Sequence, residues 1–184
     1  MNIKHIGSGV FSDVFSIGDG KAIKAFKLHN HDNLDNVNDV EKVVRAYWHA
    51  EVTAYQKLTE LEEIRTFFPI YYGVTDPHEI LSGISNHKER YVKNCGILLE
   101  LLNGDCDKVS RVNEDKRAHI DKVLSTLSEH LENTNVWDSS VFIKPDGSFK
   151  IIDFGQWANS DFEAELHINK QLTDDMRQKY LSEC

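Results

Sequence analysis

The run Phe149 to Ile152 follows the turn tripeptide Pro145-Asp146-Gly147 and ends in Asp153-Phe154-Gly155. A carboxylate delivered by a strand just ahead of a glycine suits a hard cation such as Mg2+. That ion is usually held by one or two carboxylates together with substrate phosphate oxygens. Strands also commonly end in Asp and Gly, so this acid needs companions. Gly7 and Gly9, in "IGSGVFSDVF", sit between two expected strands. A dinucleotide fingerprint would need a helix after the glycines. Here the segment Gly7-Ser8-Gly9 forms a hairpin tip whose backbone N–H groups can approach phosphate oxygens. A plain hairpin turn has the same composition. Lys24, in "KAIKAFKL", alternates onto one face with Ala22, Phe26 and Leu28, which points its ammonium over an apolar surface. An edge lysine reaching back to water is the other reading. Glu51 falls on the apolar stripe of a helix, where an acid is costly unless a cation meets it. Lys24 and Glu51 each supply what the other lacks, and a lysine held in this way can face a polyanion.

The elements that must position these groups follow from periodicity. Residues 1–27 read as short strands with a turn at Gly18-Asp19-Gly20, and residues 30–38 read as a polar loop. A helix is expected from about Asp39 to Glu63, with Asn38 as N-cap and Glu41 as its partner. Val40, Val43, Val44, Tyr47, Glu51, Ala54, Tyr55 and Leu58 form its buried stripe. "FFPIYYGV" and "YVKNCGILLELL" read as strands joined by a polar connection with a short helical turn. Asn103-Gly104-Asp105 breaks the chain and marks a lobe boundary, dividing it into 1–102 and 103–184. A second helix carries Ile120, Val123, Leu124, Leu127 and Leu131 on one face. A hairpin over Val141–Ile152 follows, and the last segment reads as helical. Strands and helices in this order imply an α+β fold rather than an alternating βαβ sheet.

Bulk properties narrow the function classes. Thirty acidic against 21 basic side chains give a net charge of -9, which argues against nucleic acid and anionic membranes as partners. No apolar run is long enough to span a bilayer, and no apolar signal core opens the chain. Three cysteines, Cys95, Cys106 and Cys184, with no CxxC spacing, point to a reducing compartment, and a cytoplasmic location is expected. His29 and His31 lie in a solvated polar loop rather than in a zinc pattern.

Taken together, the motifs resemble those of the protein kinase superfamily. "GSGVFSDV" resembles the glycine-rich loop, with Ser12 at the third glycine position. "KAIK" resembles the lysine strand, and "HAEVTAYQKL" the segment of the family's αC helix, with Glu51 as the pairing acid. "GILLELL" resembles the strand into the hinge, and "FKIIDFG" the metal-binding motif. The resemblance covers roughly Ile6 to Gly155. It implies a bilobal fold, with an N-terminal antiparallel sheet plus one packed helix and a reduced, mostly helical C-terminal lobe. It implies ATP and Mg2+ as ligands. Gly7, Ser8, Gly9 and Ser12 would cover the phosphates, and Val14 and Ala22 would sandwich the adenine. Glu100 to Leu102 would offer backbone groups to it. Lys24 would steady the phosphates, Glu51 would orient Lys24, and Asp153 would hold the metal.

The catalytic loop departs from the family's pattern. The catalytic Asp falls on Asn135, the preceding His on Asn133, and the second metal ligand on Ser140, within "NTNVWDSS". An amide cannot accept a proton as a carboxylate does. Asp138 is the one acid in that segment and the one candidate for a rewired base or ligand. Phosphoryl transfer depends chiefly on positioning and charge neutralisation. The resemblance therefore implies a pseudokinase or a very slow Ser/Thr kinase that acts partly through a protein partner or protein substrate. An active kinase using Asp138 is the second reading, and a small-molecule phosphotransferase of the aminoglycoside-kinase type the third. The short stretch after Gly155 resembles the truncation of bacterial effector kinases and phage-encoded kinases.

Overall fold

The computed structural model describes residues 3–28, 37–83, 90–130, 139–144 and 146–154. Within them the fold is mixed α+β. Strands β1 (Lys4–Ser8), β2 (Ser12–Gly18), β3 (Lys21–Lys27), β4 (Tyr71–Thr75) and β5 (Tyr91–Glu100) form an antiparallel sheet in the order β1-β2-β3-β5-β4. Helix α1 (Val37–Glu60) packs on β3, β4 and β5, and the single turn α2 (Pro77–Ile80) packs against β5. Strands β6 (Asp105–Lys108), β7 (Ser140–Ile143) and β8 (Phe149–Ile152) make a second antiparallel sheet, and helix α3 (Glu114–His130) lies between β6 and β7 in sequence.

Helix α1 forms where the helical spacing of apolar residues requires it. All eight residues of its expected stripe, from Val40 to Leu58, are buried, Glu51 among them. Its bounds differ from the expected ones. The helix starts at Val37, so Asn38 lies in its first turn rather than capping it. It also stops at Glu60, where Leu61, Ile64 and Arg65 tighten into short-range backbone bonds leading to a 3-10 turn over Arg65–Phe67. Helix ends are fixed by packing and local hydrogen bonds to within a residue or two, and propensity alone does not place them.

The strand expected over "FFPIYYGV" is confined to Tyr71–Thr75, because Phe67 and Phe68 are taken by that turn. On α3, Ile120, Val123, Leu124 and Leu127 are buried as expected, while Leu131 lies outside the described residues. The final segment expected to be helical also lies outside them. Strand β6 has no counterpart among the expected elements, since "DCDK" carries no apolar alternation. It forms by pairing along β7, from Asp105 opposite Ile143 to Lys108 opposite Ser140. Gly104 makes that entry: its φ is 141°, and a Cβ there would meet the Ile143 carbonyl oxygen at 2.7 Å.

The sheet is packed on both faces. On one side a continuous apolar cluster joins α1, Phe26, Ile97 and Leu99 to α3 and to Val141, Ile151 and Phe154 of the second sheet. On the other, Phe15, Ile17, Ile23, Ala25, Leu81 and Tyr91 form a smaller core. A buried charge pair sits beside this second core. Asp13 accepts from Lys27 Nζ and from Ser8 Oγ, and its other oxygen accepts from Tyr91 Oη at 2.9 Å. Burial pushes the Asp13 carboxyl up. The Lys27, Ser8 and Tyr91 donors together outweigh that and hold it below the usual carboxylate range.

A carboxyl depressed in the folded state contributes stability above its unfolded value and loses it as pH falls through the folded one. Asp13→Asn is therefore expected to flatten the decline of the urea midpoint below about pH 4 relative to the parent. Parallel acid slopes in the two proteins would remove Asp13 from that role.

Candidate functional site

Lys24 and Glu51 meet across the interface of β3 and α1. Lys24 is paired with Val14 of β2 and Ile97 of β5, and Ala22 lies two residues away on the same face. Its Nζ donates to Glu51 Oε2 at 2.6 Å and to Asp153 Oδ1 at 3.2 Å. Three charges placed by three separate elements therefore converge. The Lys24 and Glu51 side chains are 14% and 1% exposed and Asp153 is 37% exposed, so the cluster opens to solvent on the Asp153 side.

Asp153 is positioned by its neighbours in the chain. Its φ of 77° is left-handed, which costs a non-glycine residue energy and persists only where the surroundings fix it. Strand β8 fixes one side through the pairing of Ile152 with Ser140. Phe154 fixes the other. It is fully buried, with its ring edge-on to Tyr55 at 5.4 Å and tilted against Phe68 at 5.6 Å. Tyr55 stands one helical turn beyond Glu51, so the aromatic contact and the ion pair tie the same helix to the same corner.

The electrostatics agree with this geometry. Burial pulls the Lys24 ammonium down, but the Glu51 and Asp153 charges outweigh it and hold it above its ordinary value. Burial likewise raises Asp153, but Lys24 and then Lys108 bring it below its ordinary value. Glu51 is raised by burial, partly offset by Lys24 and reinforced by Asp153. That upward shift works against the ion pair, whereas the Lys24 shift favours it. The 2.6 Å contact is the geometry of a charge-assisted pair, and it is the cause of the upward direction at Lys24. Glu51 Oε1 is buried and, among the described residues, accepts no hydrogen bond.

Lys108 belongs to this cluster and carries no signal in the sequence. It ends β6, and its Nζ lies 3.5 Å from Asp153 Oδ2, so each oxygen of that carboxylate faces a lysine. The β6–β7 ladder brings it there. Ser140, opposite both Lys108 and Ile152, is buried beside the corner.

The expected hairpin tip is shifted: Gly7 and Ser8 belong to β1, paired with Val14 and Asp13, because the β1–β2 ladder runs on to Ser8 and the turn closes only from Gly9 to Ser12. Neither Gly7 nor Gly9 has positive φ, and among the described residues a Cβ on Gly7 would meet nothing within 4 Å and one on Gly9 only Ser12 atoms at 3.7 and 3.9 Å. Packing among the described residues thus does not demand glycine at either position. Close approach of something outside the chain would. Gly9 N–H closes the tip on the Ser12 carbonyl at 2.8 Å, and the Phe11 ring stacks on Tyr47 of α1 at 4.3 Å. The Ser8 hydroxyl is turned to Asp13, away from the Lys24 face.

At the end of β5, the Glu100 carboxylate accepts from Ile70 N–H and faces Lys150 at 3.3 Å, while Leu101 N–H donates to the Gly20 carbonyl. Leu102 is half-buried just beyond. Asp138, Asn133, Asn135 and Gly155 lie outside the described residues.

Among the described residues no three His, Cys, Asp or Glu side chains gather into a metal cage. One half-exposed carboxylate beside two lysines does fit a Mg2+ ion completed by phosphate oxygens and water, the usual way that ion is held. Asp153 would hold it, and the ion would supply charge neutralisation.

No family model matches the chain, and no curated protein matches it. Among solved structures it is similar to the Rio2 kinase–ADP/Mg2+–phosphoaspartate complex from Chaetomium thermophilum, with a TM-score of 0.48 and 16% identity over 93% of this chain and 53% of that one. The chain thus spans about half the length of that structure. Among the described residues no helix is long and apolar enough to cross a membrane.

Proposed function

We propose that the chain is a protein-kinase-like domain that binds ATP with Mg2+, divided into an N-lobe over 1–102 and a C-lobe over 103–184, and that it acts as a pseudokinase or a very slow Ser/Thr kinase, partly through contacts with a protein partner. The observation that carries this reading is the single ammonium of Lys24 bound to both Glu51 and Asp153. A lysine on the central strand of the sheet, shared between a buried glutamate and a half-exposed aspartate, suits a polyanion carrying a metal ion. In this arrangement Glu51 orients Lys24, Lys24 contacts the phosphates, the backbone at Gly7, Ser8, Gly9 and Ser12 covers them, and Asp153 holds the metal. Val14 and Ala22, on the Lys24 face, would contact the base beside Glu100 and Leu102. The absence of a carboxylate at Asn135 in the sequence favours slow or no transfer over efficient turnover.

A ligand that binds only the native state raises its stability by RT ln(1 + [L]/Kd), about 2.7 kcal/mol at a hundredfold excess over Kd. Thermal unfolding of the full chain is expected to shift upward with ATP and magnesium and to show no such shift in Lys24→Ala. An unchanged melting temperature in the parent at millimolar nucleotide would end this reading.

A further inference from the structure

Asp153 is held from both sides, and the two lysines that hold it are not equivalent. Lys24 is 14% exposed and committed to Glu51 at 2.6 Å, whereas Lys108 is 36% exposed and meets Asp153 at the longer distance of 3.5 Å. The burial of β6 also singles out Lys108. Asp105, Cys106 and Asp107 are exposed, and only the last residue of the strand leans inward. Its position is set by the ladder: Lys108 stands opposite Ser140, and Ser140 stands opposite Ile152, which precedes Asp153.

Charge counting gives this placement a purpose. Lys24 and Lys108 balance Glu51 and Asp153, so these four groups together are neutral. A diphosphate or triphosphate adds about three or four negative charges, of which one Mg2+ offsets two. A metal ion on Asp153 would also take over the neutralisation that Lys108 gives that carboxylate, and the Lys108 ammonium stands on a flexible stem at the same corner. Lysine serves as a point-charge phosphate binder, without the fixed fork of arginine.

We propose that Lys108 is a phosphate-binding cation of this site, exchanging its contact with Asp153 for the nucleotide's phosphates when magnesium binds. The inference rests on the nucleotide-binding reading above. In its bound role Lys108 supplies, from the second sheet, positive charge that the hydroxyl of Ser140 cannot.

Calorimetric titration of the full chain with ADP and with adenosine, at saturating magnesium, tests it in the parent, Lys108→Ala and Lys108→Arg. Removing a charge-assisted hydrogen bond to the phosphates should weaken ADP binding by about ten- to a hundredfold in Lys108→Ala. Adenosine, which has no phosphate, should bind all three proteins alike, and Lys108→Arg should keep ADP affinity within about threefold of the parent, since the charge is retained. Equal or tighter ADP binding by Lys108→Ala overturns the proposal, because a lysine that only neutralises Asp153 would compete with the metal. Equal weakening of ADP and adenosine overturns it as well, since that reports a distorted site. If the parent binds ADP and either of these results follows, this inference falls alone. If the parent binds no ADP, it falls together with the nucleotide-binding reading.

Discussion

Lys24→Met is expected to lose about 3–5 kcal/mol of stability, because it strands a buried carboxylate with no cation. Glu51 is 1% exposed, and Lys24 is the one described side chain that donates to it. Its second oxygen is already without a hydrogen bond among the described residues. Burial has raised this acid, so in the variant it can shed its charge by taking a proton. The deficit should therefore shrink as pH falls through that raised value. Adding Glu51→Leu removes the stranded charge and fills the same space, and replacing a buried pair by apolar residues is often neutral or better.

Urea unfolding of the parent, the single variant and the double variant reads all of this at once. The double variant should recover most of the lost midpoint and still show no nucleotide-dependent stabilisation. Recovery of stability without recovery of the nucleotide response would separate what the pair does for the fold from what Lys24 does for a ligand. A single variant as stable as the parent would mean that Glu51 reaches water.

The parts of the site that could be read from the sequence are those governed by a simple period. Alternation in "KAIKAFKL" put Lys24 inward, and the helical spacing from Val40 to Leu58 put Glu51 on the buried stripe, so two elements could be matched by their odd charges alone. Asp153 followed from a turn and a strand end. What stayed hidden depends on long-range pairing. Strand β6 has no apolar run to announce it and exists only because β7 offers a ladder, so Lys108 could not be placed. Asp13 and Lys27 look like surface charges in a polar alternation. They are buried because Tyr91, contributed by β5 far along the chain, closes over them with its hydroxyl on Asp13. The Asn38 cap failed on a local matter, since the first turn of α1 begins before it.

Phe154→Ala is expected to cost about 3–5 kcal/mol, the usual range for emptying a fully buried aromatic site. The ring has no exposure and is wedged between Tyr55 of α1 and Phe68 beside the 3-10 turn, so truncation opens a cavity where the helix, the first sheet and β8 meet. Phe154→Leu keeps most of the volume and should cost under about 1.5 kcal/mol, since it gives up the ring geometry but still fills the space. The two variants also differ in what they do to Asp153. Its left-handed φ of 77° is held by a neighbour on each side, and emptying one side lets the backbone relax toward an ordinary region. That relaxation carries the carboxylate away from Lys24. The nucleotide-dependent thermal shift should accordingly fall much further in Phe154→Ala than in Phe154→Leu, by more than the difference in their intrinsic stabilities accounts for. Equal nucleotide shifts in the two variants would show that β8 alone holds the aspartate, and that the buried ring serves the core and not the site.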